Sequence, residues 1–211
     1  RGEVPFSGFA NESDKPGPRQ IIAKFIRGNF FLPDARRGWN KFALEKAEYL
    51  IKKFSIGTVI TTSPPHSTQL IGLKLKQKYG VKWLADFRDP WTDIYYYNEL
   101  YPTALAKYFD KKMELEVLIN ANIICTVSED MKRLFAAKHK KIKAKKITVL
   151  PNGYDESDFE NWKSPSNNRF TIVYGGTLTH KYNVQTFLKT LDKLAKEGLS
   201  IKLVFAGNQD E

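Results

Sequence analysis

The feature that most narrows the fold is a hydrophobic period that changes back and forth along the chain. Short apolar or β-branched runs at 57–62, 81–87, 123–127, 147–150, 170–174 and 201–206 read as strands, too brief for helices and closed by Gly, Pro or charge. Between them apolar residues recur every three to four positions, as helices with one buried face require. One helix is expected from the face carrying Trp39, Phe42, Ala43, Ala47, Leu50, Ile51 and Phe54. A second runs through Leu70, Ile71, Leu73 and Leu75 to Tyr79, with Ser67 as its cap and Gly80 as its stop. A third, over about 103–120, turns Leu105, Tyr108, Phe109, Met113 and Val117 inward; a fourth is capped by Ser128 and carries Met131, Leu134 and Phe135. The last, 184–196, carries Phe187, Leu188, Leu191, Leu194 and Ala195. Strands apolar on both faces alternating with helices describe an α/β fold, a Rossmann-like parallel sheet with helices on both faces.

Domain organisation follows from where this pattern weakens. The first forty residues are punctuated by Pro5, Gly8, Pro16, Gly17, Pro18, Gly28 and Pro33, and read as a loop with one short helix around Ile21 to Ile26. A polar stretch over 161–168 reads as a linker. The expected organisation is a Rossmann-like domain over 1–162, a linker at 163–169 and the first β-α-β unit of a second domain over 170–211. One such unit buries too little surface to stand alone.

Composition excludes several classes. No apolar run approaches the ~18–20 residues of a membrane-spanning helix. Cys125 is the single cysteine, so a disulfide framework and a cysteine zinc site are both excluded and a reducing, cytoplasmic setting is expected. No metal-ligand cluster or Ser/His/Asp spacing is present, and no metal or cofactor is expected. The chain opens Arg1-Gly2-Glu3, without Met or an apolar signal, which reads as a start inside a longer sequence.

Thirty-four Lys and Arg against 23 Asp and Glu leave a net charge of +11. Between Met131 and Lys146 stand Lys132, Arg133, Lys138, Lys140, Lys141, Lys143, Lys145 and Lys146, with no acid among them. Such a block suits nucleic acid, an anionic lipid surface at the inner face of a membrane, or a solvated helix end. Only Phe135 interleaves with it, where a base-stacking surface wants several aromatics.

In parallel α/β sheets, sites lie at the carboxyl ends of the strands. Those loops carry Ser63-Pro64-Pro65-His66-Ser67, then Asp86-Phe87-Arg88-Asp89-Pro90-Trp91, then Cys125-Thr126-Val127-Ser128, then Leu150-Pro151-Asn152-Gly153-Tyr154-Asp155. With Tyr174-Gly175-Gly176-Thr177-Leu178 they stand in the order found in family 4 glycosyltransferases, and the chain resembles the branch of bacterial polysaccharide gene clusters. The resemblance covers about two thirds of the chain. It implies a GT-B fold of two Rossmann-like domains, with acceptor on the first and nucleotide-sugar donor mostly on the second. It also implies a first strand ahead of this chain and a Glu-x7-Glu element beyond Glu211, so that this chain alone is not catalytically complete.

Each loop has a physical reading as well. Asp86, Arg88 and Asp89 suit sugar hydroxyls, or an internal Arg–Asp pair that holds the loop around Pro90-Trp91. Many family members place a His at this strand end, near the position of Arg88, and no catalytic residue is assigned. His66, next to a helix start, is expected neutral, either as a structural hydrogen-bonder or as an acceptor-side residue. Ser128 caps its helix, with a hydroxyl that can also face the cleft. Gly153 is expected at positive φ with Asn152 bonded to its own backbone; the resemblance places both on the donor side. Gly175 and Gly176 let backbone N–H groups approach a diphosphate, with Thr177 and Lys181 adding a hydroxyl and a cation. The partners implied are a nucleotide-sugar donor and a glycan or lipid-linked acceptor. The competing reading is a non-enzymatic α/β module whose basic segment binds nucleic acid or an anionic surface.

Overall fold

The computed structural model describes residues 17–160, 169–176, 178 and 182–207. They divide into two compact units, Gly17–Tyr154 and one that takes up the chain from Asp155. In the first, α1 (Pro18–Phe30) and α2 (Asn40–Phe54) precede β1 (Thr58–Ser63), α3 (Ser67–Tyr79), β2 (Lys82–Phe87), α4 (Ala104–Asn120), β3 (Ile123–Thr126), α5 (Glu129–Ala137) and β4 (Ile147–Val149). The four strands are parallel in the order β1-β2-β3-β4, flanked by helices. Thr62, Asp86, Cys125 and Thr148 stand in one row across the sheet, so every strand ends at the same edge. The second unit pairs β5 (Phe170–Gly175) with β6 (Ile201–Ala206) in parallel, joined through α6 (Gln185–Lys196). This is the mixed α/β, Rossmann-like architecture that the changing period predicts.

Strand alternation decides which side chains form the core. Trp83, Ala85, Phe87, Ile124 and Ile147 project from the sheet onto Leu73, Val117, Leu118 and Phe135 of the helices. Each large side chain removed from water here stabilises the fold by roughly 1.5–3 kcal/mol. A second cluster, Ile51, Ile71, Leu75 and Val81 with Ala43, Leu44 and Ala47, joins α2 to α3.

Two helix faces differ from the expectation. In α2, Trp39 just before the helix, Phe42 and Phe54 are exposed, and the smaller Ala43, Leu44 and Ala47 with Ile51 face inward, because α2 packs on another helix and close approach favours small residues. In α4, Leu105, Tyr108 and Phe109 are exposed while Ala106, Asp110, Glu114, Val117 and Leu118 are buried. The apolar spacing there marks a face that the helix does not bury. In α6, Phe187, Leu188 and Ala195 are likewise exposed.

Caps differ in a similar way. Ser128 accepts from Met131 N and Gly80 ends α3 at φ +66°, both as expected, and Thr103 caps α4 by accepting from Ala106 N. Ser67, however, does not cap α3. Asp34 does, with Oδ2 accepting from Ser67 N at 2.7 Å and Oδ1 from the Ser67 hydroxyl at 2.9 Å.

One glycine is required by packing alone. Trp83 lies across α3 with Nε1–H donating to Thr61 Oγ1 at 2.8 Å, and a Cβ at Gly72 would sit 2.1 Å from that nitrogen. Gly72→Ala gains about 1 kcal/mol of helix propensity. The overlap outweighs it, because the indole is held by its hydrogen bond and overpacking costs typically 1–3 kcal/mol or more. A net loss of up to about 2 kcal/mol is expected, measured as a lower urea midpoint with unchanged slope.

Candidate active site

Two groups of side chains assemble at the ends of the strands. The first joins three loops through one guanidinium. Arg88 Nε donates to Asp86 Oδ2 at 2.9 Å, Arg88 Nη1 donates to Asn152 Oδ1, and the Arg88 backbone N–H donates to Ser63 O at 2.9 Å. The end of β2 is thus tied to the segment after β4 and to the end of β1. Asp86 is buried, and its Oδ1 has no protein partner among the described residues. Asp86 thus has one oxygen bonded to Arg88 and the other enclosed without a protein partner, an unsatisfied acceptor at the strand end. Cys125, level with Asp86 in the next strand, has its thiol pushed up by burial first and by the Asp86 charge second.

The second group surrounds His66. Its imidazole stacks on Trp91 with centroids 5.2 Å apart and planes 9° from parallel, with Phe87 at 6.3 Å. Burial lowers its pKa to about 4, against a smaller upward pull from Asp34, so the ring is neutral near pH 7. Its Nδ1 has no partner among the described residues.

Trp91 is held from behind. Its Nε1–H donates to Asp110 Oδ1 at 2.7 Å, and the Thr92 hydroxyl donates to Glu114 Oε2 at 2.7 Å. Both acids are buried and lie one turn apart on α4. Lys138 from beyond α5 completes the cluster, donating to Glu114 Oε2 at 3.0 Å and pairing with Asp93. Asp110 has its pKa raised to about 6, by burial first, against the pull of its Trp91 hydrogen bond. Beneath β1, Gln69 donates to Asp86 O at 2.8 Å and Ser63 Oγ at 2.9 Å, bracing both strand ends.

The sequence-derived candidates therefore separate. Asp86, Arg88 and Asn152 are brought into one chain of hydrogen bonds, and His66 belongs to the neighbouring aromatic group. Asp89 is half-buried and acts on Tyr96, whose pKa rises by burial first and by that charge second. Ser128 is engaged as a helix cap. Asn152 does not bond its own backbone; its side-chain oxygen is drawn to the stronger donor, Arg88. Gly153 is not at positive φ, the exposed segment after β4 running on without the tight turn expected there.

In the second unit, Gly176 stands at φ +147°, but its N–H donates to Ala206 O at 2.9 Å and is not free for a diphosphate. Gly207, also at φ +147°, backs onto it: a Cβ there would lie 2.0 Å from Gly176 O. Gly175 closes β5. Thr177 and Lys181 lie outside the described residues, as does the expected linker over 163–169 apart from Arg169.

A family model described as Glycosyltransferase Family 4 matches residues 6–158. The chain belongs to that family. No curated protein matched the chain. For a family 4 glycosyltransferase a sugar donor and an acceptor are the substrates to be placed, and the matched span contains all four strand ends described above.

The basic run of this glycosyltransferase is smaller in space than in sequence. Lys138 and Lys146 are turned inward. Lys138 holds Glu114, and Lys146 donates to Ile119 O at 2.6 Å at the carboxyl end of α4, where a cation meets the helix dipole. Burial lowers the Lys146 pKa. Lys132 pairs with Glu129 at 3.6 Å, and Arg133 pairs with Asp130. Arg133, Lys140, Lys141, Lys143 and Lys145 are the exposed cations of the run, and the apolar Phe135 and Ile142 within it are buried.

The two shifted groups oppose each other. As pH falls from about 6.5 to about 4 the unfolded chain protonates its histidine while folded His66 stays neutral, so stability is lost. Asp110 takes its proton near 6 when folded and near 3.8 when unfolded, so over nearly the same window it restores stability. Asp110→Asn keeps the Trp91 acceptor and removes the titration. Its stability should fall relative to wild type by about 2–3 kcal/mol between neutral pH and pH 4, read from urea melts at both pH values. The His66 imidazole should titrate near pH 4 by NMR.

Proposed function

We propose that this protein transfers a sugar from a nucleotide-sugar donor to a hydroxyl of a glycan or lipid-linked acceptor, with retention of anomeric configuration, in cell-surface polysaccharide synthesis. The observation that carries the reading is the Asp86–Arg88–Asn152 chain at the strand ends, within the span that matches the family. It offers an accessible cation and amide, held by a buried carboxylate, groups suited to hydroxyl and phosphate recognition.

In the proposed reaction the bond from the anomeric carbon to the diphosphate breaks as the acceptor oxygen attacks from the same face. The acceptor's proton passes to the departing phosphate oxygen. Positioning and favourable electrostatics at the leaving group supply the rate, which asks little of a general base. His66, Asp86, Arg88 and Asp89 are proposed on the acceptor side. Asn152, Gly153, Gly175, Gly176, Thr177 and Lys181 are proposed on the donor side. The amino-terminal and carboxy-terminal portions are proposed as acceptor and donor domains of one two-domain enzyme. A cytoplasmic position at the membrane's inner face would place it beside a lipid-linked acceptor.

The test uses the protein encoded by its full reading frame. Calorimetry with uridine, guanosine and adenosine diphosphates should find saturable binding to one of them, and the matching nucleotide-sugar should label an acceptor in a membrane extract. Arg88→Ala should lower transfer by about two orders of magnitude, as loss of one aligned charge-stabilising group does. A full-length protein that binds none of the three diphosphates, or an Arg88→Ala variant that transfers at the wild-type rate, would overturn the reading.

A further inference from the structure

The turn between β1 and α3 carries His66, and it is fastened from a distance. Pro64 and Pro65 have no N–H with which to hold it. Among the described residues, every hydrogen bond that ties positions 64–67 to anything beyond β1 and α3 runs through Ser67. Asp34 accepts the Ser67 N–H at 2.7 Å and the Ser67 hydroxyl at 2.9 Å, and the Asn40 amide donates to Ser67 O at 2.7 Å. All three polar groups of this buried serine are thus held by one segment, 27 to 33 positions earlier, that links α1 to the start of α2. The segment is itself braced, because Asp34 Oδ1 also accepts from Arg36 N at 2.9 Å.

Stability of α3 does not call for this arrangement. The body of the helix is placed by apolar contact, with Ile71 and Leu75 clustered on Ile51 of α2, and a Ser or Asp at the helix boundary itself caps without a long loop. Asn40 Oδ1 is enclosed without a partner among the described residues, so this amide is a costly way to stabilise and a direct way to fix a carbonyl. Apolar burial is non-directional, whereas a carboxylate with three donors on it sets a direction. Direction is what the His66 ring needs. Its Nδ1 is enclosed without a partner among the described residues, so the ring is oriented by its stack on Trp91 and by the backbone that Ser67 anchors.

We propose that Asp34 and Asn40 are positioning residues for sugar transfer: through Ser67 they fix the strand-end turn that places His66 on the acceptor side. The inference rests on the reading of His66 as an acceptor-side residue. Neither Asp34 nor Asn40 touches a substrate in this scheme; both act through the backbone of the turn. The turn also adjoins Ser63, whose carbonyl receives the Arg88 N–H at 2.9 Å, so its displacement reaches both groups of side chains at the strand ends. A misplacement of about 1 Å at a reacting centre costs about a hundredfold in rate. Loss of an ordinary helix cap carries no such penalty, and the two roles are therefore separable.

The first measurement needs no sugar or nucleotide. In the 211-residue chain the His66 imidazole, identified by its loss in His66→Gln, is followed by NMR across pH. Asp34 exerts a small upward pull on that ring, so removing its charge alone would take the titration point below about 4. Release of the turn has the opposite sign, because a ring leaving its buried stack moves toward the ordinary 6.5. Asp34→Ala and the uncharged Asn40→Ala should both raise the titration point, by about one pH unit or more, and weaken the upfield displacement that the parallel indole gives the ring protons. The second measurement is transfer by the protein of the full reading frame. Both variants should lower kcat/KM for the acceptor by about tenfold to a hundredfold, with calorimetric affinity for the nucleoside diphosphate unchanged. Thr103→Ala, which removes the cap of α4, should leave the imidazole and the acceptor kinetics near wild type. Should Asp34→Ala fold poorly, Asn40→Ala decides, since it removes one hydrogen bond and no charge. A titration point unchanged or lowered in both variants, diphosphate affinity that falls together with transfer, or equal losses in Thr103→Ala would overturn the proposal. A wild type that transfers from no nucleotide-sugar would overturn the transfer reading instead, and the imidazole would still decide whether Asp34 and Asn40 place His66.

Discussion

Trp91 makes two demands that the first unit is arranged to meet together. Its ring needs apolar or aromatic cover, which His66 and Phe87 provide, and its Nε1–H needs an acceptor, which α4 provides as Asp110. An indole this large and nearly inaccessible dominates its surroundings through area alone, but the hydrogen bond decides which face of α4 turns inward. Once Asp110 is inward, Glu114 follows one turn later and collects Thr92 and Lys138. The loop after β2, the first turn beyond β1, α4 and the end of α5 are thereby set by one polar network inside an apolar core.

That network also explains how far the sequence can be read. Strand positions were legible because each is a short apolar run closed by Gly, Pro or charge, and the register of 62, 86, 125 and 148 follows from parallel pairing of those runs. Helix positions were legible for the same reason, although α1 runs over Pro18–Phe30 where only a short helix around Ile21 to Ile26 is expected. The face that α4 buries was not, because Leu105, Tyr108 and Phe109 make as good an apolar arc as Ala106, Val117 and Leu118, and only a distant indole distinguishes them. Two carboxylates one turn apart read as solvated until a tryptophan and a threonine are known to need acceptors.

The candidate site shows the same division. His66, Asp86, Arg88 and Asn152 stand out in sequence because they follow strands, and strand ends converge. Their grouping was hidden: Arg88 and Asn152 are 64 positions apart, and nothing local says that the guanidinium reaches the amide. Asp34 and Gln69 carried no signal, since a remote cap and a buried amide brace depend on tertiary placement. Lys138 and Lys146 were misread as surface charge because a run of lysines conceals which members have an interior partner.

Asp34 has a consequence for the order in which the chain folds. The first turn of α3 takes its hydrogen-bond acceptors from a residue 33 positions earlier, with α2 and β1 between them. An isolated α3 peptide therefore lacks its own start, and its amino-terminal turn frays until that long loop has closed. The helix can form locally only from its Leu75 end, and the turn bearing the strand-end histidine arrives late, as a non-local contact that slows folding more than the length of α3 would suggest.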